Sequence, residues 1–593
     1  MKNIQLKVLV NNGQNETENI IFEIFDQEAE LNLAGNGILN LPAAIGQLTN
    51  IKRVDLSKNK LKDLPDELWQ LTNLIELNLD DNDLTELPTE IGQLTNLSIL
   101  RIGNSKFTQR VYNIDRIKKE STPKGGHNTL RSLPTEIGKL TNLVYLNLRN
   151  NRLTSLPTEI GHLINLEELD LSNNNLSNLP VQIGQLNNLK ILNLKNNQLI
   201  DFPTELWQLI NLSNLSLSSV NLIKLPTKLL RLTNLSSLDL EIKNLKSLSN
   251  RIVQLTKLSK LSLSSLDLIQ LPNTLWQLTN LSSLELKIEN LKKLSHRIGQ
   301  LTNLSNLKLK TNQLKSLPNE IGKLVNLSNL EIEANQLKSL PPEIGLMINL
   351  EKLDLRCNQL TSLPNEIGNL INLKKIILRS DTFGFNKLES LPPQVGQLIN
   401  LEELYLSHNK LTSLPTEIGK LGKLWELDLK GNKLEILPAE FWHLINLSSL
   451  SLSNNNLISL PPEIGKLIKL ERLELSHNHL SRLPLELWQL KDLLSLRLNH
   501  NPLIYLPDQI WNLRNLVNLG LSHINLISLS EEIGQLVNLE RLELSNNHLL
   551  SLPIEIKRLI NLKWLSLKNN PIINSPIEID KVQRLLPQCK III

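Results

Sequence analysis

Residues 401–423 read LEELYLSHNKLTSLPTEIGKLGK, and this stretch decides the fold of the chain. The next 23 residues, 424–446, repeat its pattern as LWELDLKGNKLEILPAEFWHLIN. The shared frame is L-x-x-L-x-L-x-x-N-x-L-x-x-L-P-x-E-I-G-x-L-x-N, and it runs in both directions almost to the ends of the 593-residue chain. A fixed period within about 20 to 29 residues, with leucines at constant spacing, predicts a stack of repeated structural units.

Each repeat begins with a short predicted strand. In residues 401–406, Leu404 and Leu406 alternate with Glu403 and Tyr405, so the leucines point to one face and the other two side chains to the opposite face. A single repeat cannot bury its leucines alone. Stacking the repeats creates a continuous leucine core, worth about 1.5–3 kcal/mol for each fully buried side chain.

The rest of the repeat predicts a turn and an outer segment. Asn409 follows the strand, where a short polar side chain can hydrogen-bond backbone groups that have no partner in the sheet. Leu411 and Leu414 return to the core, and Pro415 ends the extended segment before TEIGKL. Tryptophan replaces the glycine of this outer segment in several repeats. Because a bulky residue avoids positive φ, we predict a short helical turn whose tryptophans pack between repeats rather than bind a ligand. These tryptophans are Trp69, Trp207, Trp276, Trp442, Trp488 and Trp511.

The repeat defines the domain organisation. Counting the asparagine position in steps of 23 residues gives 23 repeats between residues 28 and 574. Residues 1–27 are expected to form an N-terminal cap. Residues 575–593 are expected to form a C-terminal cap, in which an amphipathic helix and a final apolar strand cover the last open repeat. The predicted fold is an α/β-type solenoid with a parallel sheet inside and short helical or irregular segments outside.

Two insertions interrupt the repeat. The first lies near residues 103–127, lacks the leucines of a repeat, and carries six basic residues but only two acidic ones. We interpret it as an exposed, solvated loop, with a partner contact as the alternative. The second lies at residues 381–385, where Phe383 and Phe385 either form a small apolar contact or pack on the neighbouring turn. The candidate contacts in the first insertion are Arg110, Arg116, Lys118 and Lys119.

In five repeats another residue occupies the asparagine position, and the residue directly after it is Asn or Asp. Four of these repeats are consecutive, and two of them, LTNLSSLDLEIKNLKSLS and LTNLSSLELKIENLKKLS, lie 46 residues apart. This spacing indicates duplication of a two-repeat unit. We predict a shifted turn in these repeats rather than a functional feature. The five substituting residues are Val220, Lys243, Leu266, Glu289 and Ile524.

The frame resembles the leucine-rich repeat. More closely, it is similar to the 23-residue class found in Ras-pathway scaffold proteins, plant intracellular Ras-group-related proteins and many bacterial leucine-rich proteins. The resemblance covers about residues 28–574, and the ending IEIDKVQRLLPQCKIII is similar to tails that close some bacterial members. It implies a horseshoe whose concave face is a parallel sheet. It also implies recognition of a protein partner on that face, with intracellular signalling as one such role, although the fold hosts many functions.

Composition and motifs exclude several other classes. The formal net charge of +4 is small for this length and favours neither nucleic-acid binding nor a membrane-surface protein. The two cysteines, Cys357 and Cys589, are too far apart in sequence to indicate a disulfide framework or a metal site. There is no signal-peptide pattern, no apolar stretch of transmembrane length and no nucleotide-binding G-x-x-x-x-G-K-[ST] motif. We therefore expect a non-enzymatic protein without a cofactor that is monomeric and cytoplasmic, with secretion by another route left open.

Two functional classes remain. The first is a protein-interaction scaffold that binds a partner of unknown identity on the concave face. The second is a protein that binds a glycan, a lipid or another small ligand. The second class would require clustered exposed aromatic residues on that face, and the sequence offers Tyr145, Tyr405 and Trp564.

One column of the repeat is the best candidate for a partner site. His477, His500 and His523 recur every 23 residues, so their imidazoles are predicted to lie side by side on adjacent repeats. Three interpretations are open: drift of a Ser-His-Asn turn that also occurs at His408, a metal site, or a site for an acidic protein surface. No carboxylate or cysteine in the column completes a ligand set for a metal. The candidate residues that we add to the histidines are Arg472, Glu474, Arg497, Arg541, Glu543, Tyr405 and Trp564.

Overall fold

The computed structural model describes residues 3–11, 17–25, 29–104, 126–219, 222–334, 336–379 and 386–593. The chain forms two units, Met1–Asn290 and Leu291–Ile593. Within each unit the repeats build a parallel sheet, and a short helix follows nearly every strand. The predicted leucine-rich repeat solenoid is therefore confirmed.

The first unit contains fourteen strands in its described residues. β1 and β2 form an antiparallel hairpin, and β1 also pairs with β4. The remaining eleven strands, β3 and β5 to β14, belong to the parallel sheet. The strands are β1 Asn3–Asn11, β2 Thr17–Phe25, β3 Glu30–Asn32, β4 Ile38–Asn40, β5 Arg53–Asp55, β6 Glu76–Asn78, β7 Ile99–Arg101, β8 Tyr145–Asn147, β9 Glu168–Asp170, β10 Ile191–Leu194, β11 Asn214–Ser219, β12 Ser237–Ile242, β13 Lys260–Ser265 and β14 Ser283–Ile288.

The second unit contains thirteen parallel strands in its described residues. The helix α1 (Pro576–Leu585) follows β26, and β27 then pairs with β26 in parallel. The strands are β15 Asn306–Lys310, β16 Asn329–Glu333, β17 Lys352–Asp354, β18 Lys375–Ile377, β19 Glu403–Tyr405, β20 Glu426–Asp428, β21 Ser449–Ser451, β22 Arg472–Glu474, β23 Ser495–Arg497, β24 Asn518–Gly520, β25 Arg541–Glu543, β26 Trp564–Ser566 and β27 Lys590–Ile592.

Sheet register follows the 23-residue period. Leu404 on β19 pairs with Leu427 on β20, and the two flanking pairs have the same offset. Leu404 is 1% exposed and Leu411 is fully buried, so the alternation read from the sequence gives the observed inner and outer faces. A slip of one residue would turn every strand leucine toward solvent, so the core and the register specify each other.

The outer segments are 3-10 helices. All but the last follow a proline or an equivalent serine, the last follows Asn570, and none of their residues adopts positive φ. In the first unit they are Ala43–Gln47, Asp66–Gln70, Thr89–Gln93, Thr135–Lys139, Thr158–His162, Val181–Gln185, Thr204–Gln208, Thr227–Arg231, Asn250–Gln254 and Asn273–Gln277. In the second unit they are His296–Gln300, Asn319–Lys323, Pro342–Leu346, Asn365–Asn369, Pro393–Gln397, Thr416–Lys420, Ala439–His443, Pro462–Lys466, Leu485–Gln489, Asp508–Asn512, Glu531–Gln535, Ile554–Arg558 and Pro571–Asn574.

The tryptophans of these helices belong to the core. All six are at most 3% exposed, which excludes them as ligand contacts on the surface and confirms their predicted packing role. The glycine at the same position serves close packing in the other repeats. At Gly419, an added Cβ would lie 2.1 Å from the carbonyl oxygen of Glu440 in the next repeat.

In the regular repeats a buried asparagine joins each repeat to the one before it. Asn455 donates from Nδ2 to the carbonyl oxygens of Leu452 in its own repeat and Leu429 in the preceding repeat, both at 3.0 Å. Its Oδ1 accepts a 3.1 Å hydrogen bond from the backbone N–H of Leu434. One side chain thereby pairs backbone groups that the sheet leaves without partners.

The two insertions displace this asparagine along the sequence. Ser105 and Asn128 both fit the frame, and Asn128 occupies the position, donating to the carbonyl oxygen of Leu79 at 2.9 Å. Counting 23 residues from Asn358 reaches Asp381, but after the second insertion Asn386 takes the asparagine position. Residues 105–125 and 380–385 lie outside the described residues, and so do the predicted contacts Arg110, Arg116, Lys118 and Lys119.

A second asparagine ladder lies at the opposite end of the strands. The asparagine that closes the frame donates to a carbonyl oxygen one repeat earlier, as Asn372 does to Ile348 at 2.9 Å. Where lysine replaces this asparagine, the ammonium reaches the asparagine of the preceding repeat, as Lys423 does to Asn400 at 2.7 Å. The sequence showed this position as part of the frame, but its role follows only from the contacts.

The four consecutive repeats without a ladder asparagine have longer strands. β11 to β14 each span six residues, because the chain continues extended where the other repeats turn. Hydroxyl groups replace part of the missing amide: the Oγ of Ser219 and of Ser265 each donates to a carbonyl oxygen at 3.0 Å. In the alternate repeats Ile242 and Ile288 are fully buried at the same position. This alternation agrees with the proposed duplication of a two-repeat unit.

The buried ladder predicts a large difference between two adjacent asparagines. Asn455→Ala removes these three hydrogen bonds and leaves buried backbone groups unpaired, so we expect a loss of about 1–3 kcal/mol in the free energy of unfolding. Asn456→Ala changes the same chemistry at an exposed site and should stay within about 0.5 kcal/mol of the parent. Chemical denaturation followed by circular dichroism compares the two. Equal losses would contradict a role for the ladder in stability.

Candidate functional site

The three histidines of the candidate column occupy left-handed turn positions. His477, His500 and His523 have φ values of +57°, +57° and +55°. Asn, Asp and His tolerate this conformation better than most residues with a Cβ, which explains why histidine recurs here without reference to function. Other members of the column with positive φ are Gly35, Lys58, Asp81, Asn150, Asn173, Asn196, Cys357, His408, Gly431, Asn454, Asn546 and Asn569.

The histidine rings form a continuous stack. The ring centroids of His477 and His500 lie 4.0 Å apart with an interplanar angle of 13°, and those of His500 and His523 lie 3.9 Å apart at 22°. Burial lowers the pKa of the middle ring, His500, and the neighbouring His477 and His523 lower it further. Protonation of one ring therefore opposes protonation of the next.

The stack borders a polar cleft on the exposed face of the sheet in the second unit, which we call the sheet cleft. Its volume is about 440 Å³, and six consecutive repeats contribute side chains to it. Because the strands pair in register, residues that are 23 positions apart in sequence become neighbours across the cleft. The lining residues are Lys430, Ser453, Asn454, Glu474, Ser476, His477, Arg497, Asn499, His500, Ser522, His523, Glu543, Ser545 and Asn546.

The carboxylates of the sheet cleft are held by basic or amide groups of the protein. Glu474 Oε1 lies 3.6 Å from Arg497 Nε, and Glu543 Oε1 lies 2.9 Å from Arg541 Nε. Asn499 donates from Nδ2 to Glu543 Oε2 at 2.9 Å, crossing over β24. This crossing depends on Gly520, where an added Cβ would lie 2.8 Å from Asn499 Nδ2.

One polar atom of the sheet cleft has no hydrogen-bond partner among the described residues. Ser476 is 8% exposed, and its hydroxyl oxygen is buried without a partner. A buried hydroxyl without a hydrogen bond is unfavourable by about 1–3 kcal/mol, so a ligand group that reaches it would gain a hydrogen bond.

The structure brings some of the ten candidate residues together around this cleft and leaves others outside it. Six of the ten line it: Glu474, His477, Arg497, His500, His523 and Glu543. The other four, Arg472, Arg541, Trp564 and Tyr405, are outside the cleft lining.

The aromatic candidates are covered by basic groups from their own sheet. The guanidinium of Arg541 lies 3.8 Å from the ring centroid of Trp564. The Lys375 ammonium lies 5.0 Å from that of Tyr405. Tyr405 also donates to Glu403 Oε2 at 2.7 Å, and Lys375 forms an ion pair with the same carboxylate. Burial, followed by the hydrogen bonds to Glu403 and Glu426, raises the pKa of Tyr405 well above its usual range.

The sequence reading missed the polar residues between the charged positions. Lys430 and Asn499 lie in the same column as the four cleft serines, two residues before the ladder position. Aligning the repeats column by column would have found them, because residues in one column are neighbours in the sheet. The unpaired hydroxyl of Ser476 gives no sequence signal, since serine occupies the same position in other repeats, as at Ser453 and Ser522.

The described residues offer no metal site and no membrane-spanning helix. No group of three or more His, Cys, Asp or Glu side chains in these parts of the chain is arranged to hold a metal ion. The stacked imidazoles lie side by side and do not converge on a point. No helix in the same parts is long and apolar enough to cross a membrane.

Comparison with known families agrees with the geometry. The family described as "Leucine-rich repeat region" matches residues 125–220. "Leucine rich repeat" matches residues 29–84, 384–434 and 445–503, and a further leucine-rich repeat family matches residues 349–370 and 538–559. A leucine-rich repeat protein of Leptospira interrogans is 31% identical over 96% of this chain and 96% of its own, with a TM-score of 0.36. The chain belongs to the leucine-rich repeat proteins.

Other solved structures are similar across most of the chain. The plant peptide hormone receptor RGFR1, solved in complex with RGF2, is 27% identical over 95% of this chain and 90% of its own, with a TM-score of 0.62. The Arabidopsis receptor kinase HAESA, solved with the peptide hormone IDA and the co-receptor SERK1, is 24% identical over 93% and 89%, with a TM-score of 0.55. The search of curated proteins found no match.

In the first unit, the pKa of one carboxyl group on the sheet, that of Asp80, is strongly raised. Burial raises the pKa of Asp80 to about 6, against the lowering effect of a hydrogen bond from the backbone N–H of Gly103. That N–H donates to Asp80 Oδ1 at 2.6 Å, and Asn147 Nδ2 lies 3.3 Å from both carboxylate oxygens. The nearby Asp81 raises the pKa further, whereas two arginines lower it.

Asp80 predicts a pH dependence of stability. An unfolded aspartate titrates near pH 4, so the folded state of this protein binds the Asp80 proton more tightly than the unfolded state. The resulting stabilisation is complete below about pH 4 and is lost as the pH rises through about 6. Asp80→Asn should therefore match the parent near pH 4 and exceed its free energy of unfolding by about 1–2 kcal/mol at pH 7.5.

Denaturation curves for both proteins between pH 4 and 8 measure this difference. Asp63→Asn, at an exposed site, is the matched control and should show no such trend. A constant difference between Asp80→Asn and the parent across this range would contradict the assignment.

Proposed function

We propose that this protein recognises a protein or peptide partner through the exposed face of the sheet in its second unit, with the sheet cleft as the centre of the contact. The observation that carries the proposal is the register of the strands, which brings side chains of six consecutive repeats together in one polar cleft. Leucine-rich repeat domains are typically protein- or peptide-binding modules, and the similar receptor RGFR1 was solved in complex with RGF2. The unpaired Ser476 hydroxyl also supports a bound partner at this place.

A protein partner fits this face better than a glycan does. Sugar recognition would use aromatic faces that are free for stacking, and the sequence offered Tyr145, Tyr405 and Trp564. Each of the three has an arginine or lysine of the same sheet over its ring, at 4.7, 5.0 and 3.8 Å. These cation–π contacts occupy one face of each aromatic ring. The remaining surface is built from amides, hydroxyls and charged groups, which suit the polar parts of a protein interface.

We further infer that the protein acts by binding rather than by catalysis, as leucine-rich repeat proteins typically do. A cytoplasmic location and a role in signalling complete the proposal, and these two parts rest on the sequence alone.

Replacing the ion pair at the centre of the sheet cleft tests the proposal. The double variant Glu474→Ser with Arg497→Ser removes both charges together, so no unpaired charge remains, and serine already occurs at equivalent strand positions in Ser451 and Ser566. We expect recovery of the bound partner from cell extract to fall at least about tenfold, the effect of losing a binding hot spot. Quantitative mass spectrometry of captured proteins measures the recovery.

The matched control changes the same residue types on an outer helix. Glu555→Ser with Arg558→Ser lies on the 3-10 helix Ile554–Arg558, away from the sheet face, and should leave recovery unchanged. Equal capture by both double variants would contradict recognition through the cleft. Specific binding of glycans on an array, with no captured protein, would favour the small-ligand alternative.

A further inference from the structure

Histidines are concentrated along one side of the last five repeats. This side is formed by the segment that follows each strand, which is a turn and an extended stretch in the first four repeats and a 3-10 helix in the last. It comprises residues 477–484, 500–507, 523–530, 546–553 and 569–576, and we call it the histidine edge. It holds five of the ten histidines of the chain, namely His477, His479, His500, His523 and His548. It contains no aspartate or glutamate, and Arg482 is its single arginine or lysine.

The basic groups of the edge are accessible. His477, His479, His523, His548 and Arg482 are all exposed, and the central ring of the stack is partly exposed. The edge is therefore a surface whose positive charge depends on pH, since histidine is the side chain that ordinarily titrates between pH 5 and 8.

An apolar strip lies on the same edge. Ile504, Ile527 and Leu550 occupy the same position in three consecutive repeats, four residues after the stacked-histidine column, and are 67%, 71% and 68% exposed. Tyr505, next to the first of them, is 55% exposed. Single exposed apolar residues are ordinary, but a contiguous set marks an interaction surface.

We propose that the histidine edge docks an acidic amphipathic segment of a protein, and that this docking is linked to proton uptake. Apolar side chains of the segment lie on the strip of Ile504, Ile527 and Leu550, and its carboxylates contact the histidine imidazoles. This inference rests on the proposed function and names the chemistry of the partner. Charge complementarity selects the occupant, because the edge offers basic groups and apolar side chains but no carboxylate.

The charged groups that face the stacked rings do not cancel this preference. The sheet cleft presents Lys430, Glu474, Arg497 and Glu543 to the stack. Glu474 is already held by Arg497, and Glu543 by Arg541 and Asn499. The edge itself adds its histidines, Arg482 and the phenol of Tyr505, and no carboxylate. Protonation of the histidines therefore raises the positive charge of the edge, and no carboxylate of the edge neutralises it.

Proton linkage follows from the close stacking of the rings. At centroid distances of 4.0 and 3.9 Å, charged imidazoles repel one another, so the free edge resists full protonation. A bound carboxylate offsets this repulsion, and protonation in turn strengthens carboxylate binding, because the coupling between two ligands is reciprocal. The glutamates of a bound segment stay ionised near pH 6, since glutamate titrates near pH 4.3.

A labelled synthetic peptide tests the docking directly. The probe is a peptide of about twelve residues in which leucine and glutamate alternate, and the matched probe replaces every glutamate by glutamine. Fluorescence anisotropy with the full chain should give an affinity for the acidic probe that is at least about tenfold tighter at pH 6 than at pH 8. The glutamine probe should bind more weakly at pH 6 and show no such change.

Two sets of substitutions separate the parts of the surface. The triple change His477→Asn, His500→Asn and His523→Asn keeps residues that tolerate positive φ, so the turns are preserved while the titrating groups are lost. It should remove most of the pH dependence, because only His479 and His548 of the edge histidines remain. His408→Asn, at the same turn position outside the edge, is the matched control and should leave binding unchanged.

The second set changes Ile504→Ser, Ile527→Ser and Leu550→Ser, following Ser481 at the same position of the repeat. This triple variant should bind the acidic probe more weakly at both pH values, but the pH dependence of binding should remain. Equal affinity at pH 6 and pH 8, an unchanged pH dependence in the histidine variant, or tighter binding of a single-stranded oligonucleotide than of the peptide would overturn the inference.

The outcomes also distinguish this inference from the proposed function. Loss of partner capture on changing Glu474 and Arg497, together with no binding of the acidic probe, would keep the sheet-cleft proposal and reject the histidine edge. Proton-linked binding of the acidic probe, together with partner capture that the Glu474 and Arg497 changes leave unaltered, would keep the histidine edge and reject the sheet-cleft proposal.

Discussion

The fold depends on the hydrogen bonds of one buried amide. In the regular repeats, the asparagine after the strand donates to carbonyl oxygens of its own and the preceding repeat, and accepts from a backbone N–H of that preceding repeat. The leucine core is non-directional and would tolerate small shifts between repeats. The amide does not tolerate such shifts, because its three hydrogen-bond partners have fixed positions on two repeats. In the regular repeats it therefore reinforces the register, set by the leucine period, that brings equivalent residues side by side.

This register turns sequence columns into surfaces. A substitution in one repeat lies next to the same position of its neighbours, so histidine in three consecutive repeats becomes a stack of rings at about 4 Å. The left-handed turn explains why histidine is tolerated, while the neighbouring columns determine what the stack can contact. On one side lies the polar sheet cleft with its paired charges, and on the other lies an edge without carboxylates. A single structural constraint thereby generates both candidate surfaces of the second unit.

The repeats that lack the ladder asparagine show how the structure compensates for its absence. Where the ladder asparagine is absent in the first unit, the strands lengthen and serine hydroxyls alternate with buried isoleucines. Near Ile524 the strand does not lengthen, because Asn547 of the next repeat accepts hydrogen bonds from the backbone N–H groups of Ile524 and Leu526. The same substitution thus has two structural results, and the neighbouring repeat decides between them.

The sequence by itself determined the repeat length, the strand register, the inner and outer faces and the columns that contain the candidate site. These follow from leucine periodicity, which is a local property repeated many times. Only the tertiary structure decided the pairing of Glu474 with Arg497, the crossing of Asn499 over Gly520, the unpaired hydroxyl of Ser476 and the cations over the aromatic rings. Those features depend on side-chain rotamers and on contacts across two or more repeats. The period of the sequence specifies which residues are neighbours but leaves the direction of each side chain to the packing around it.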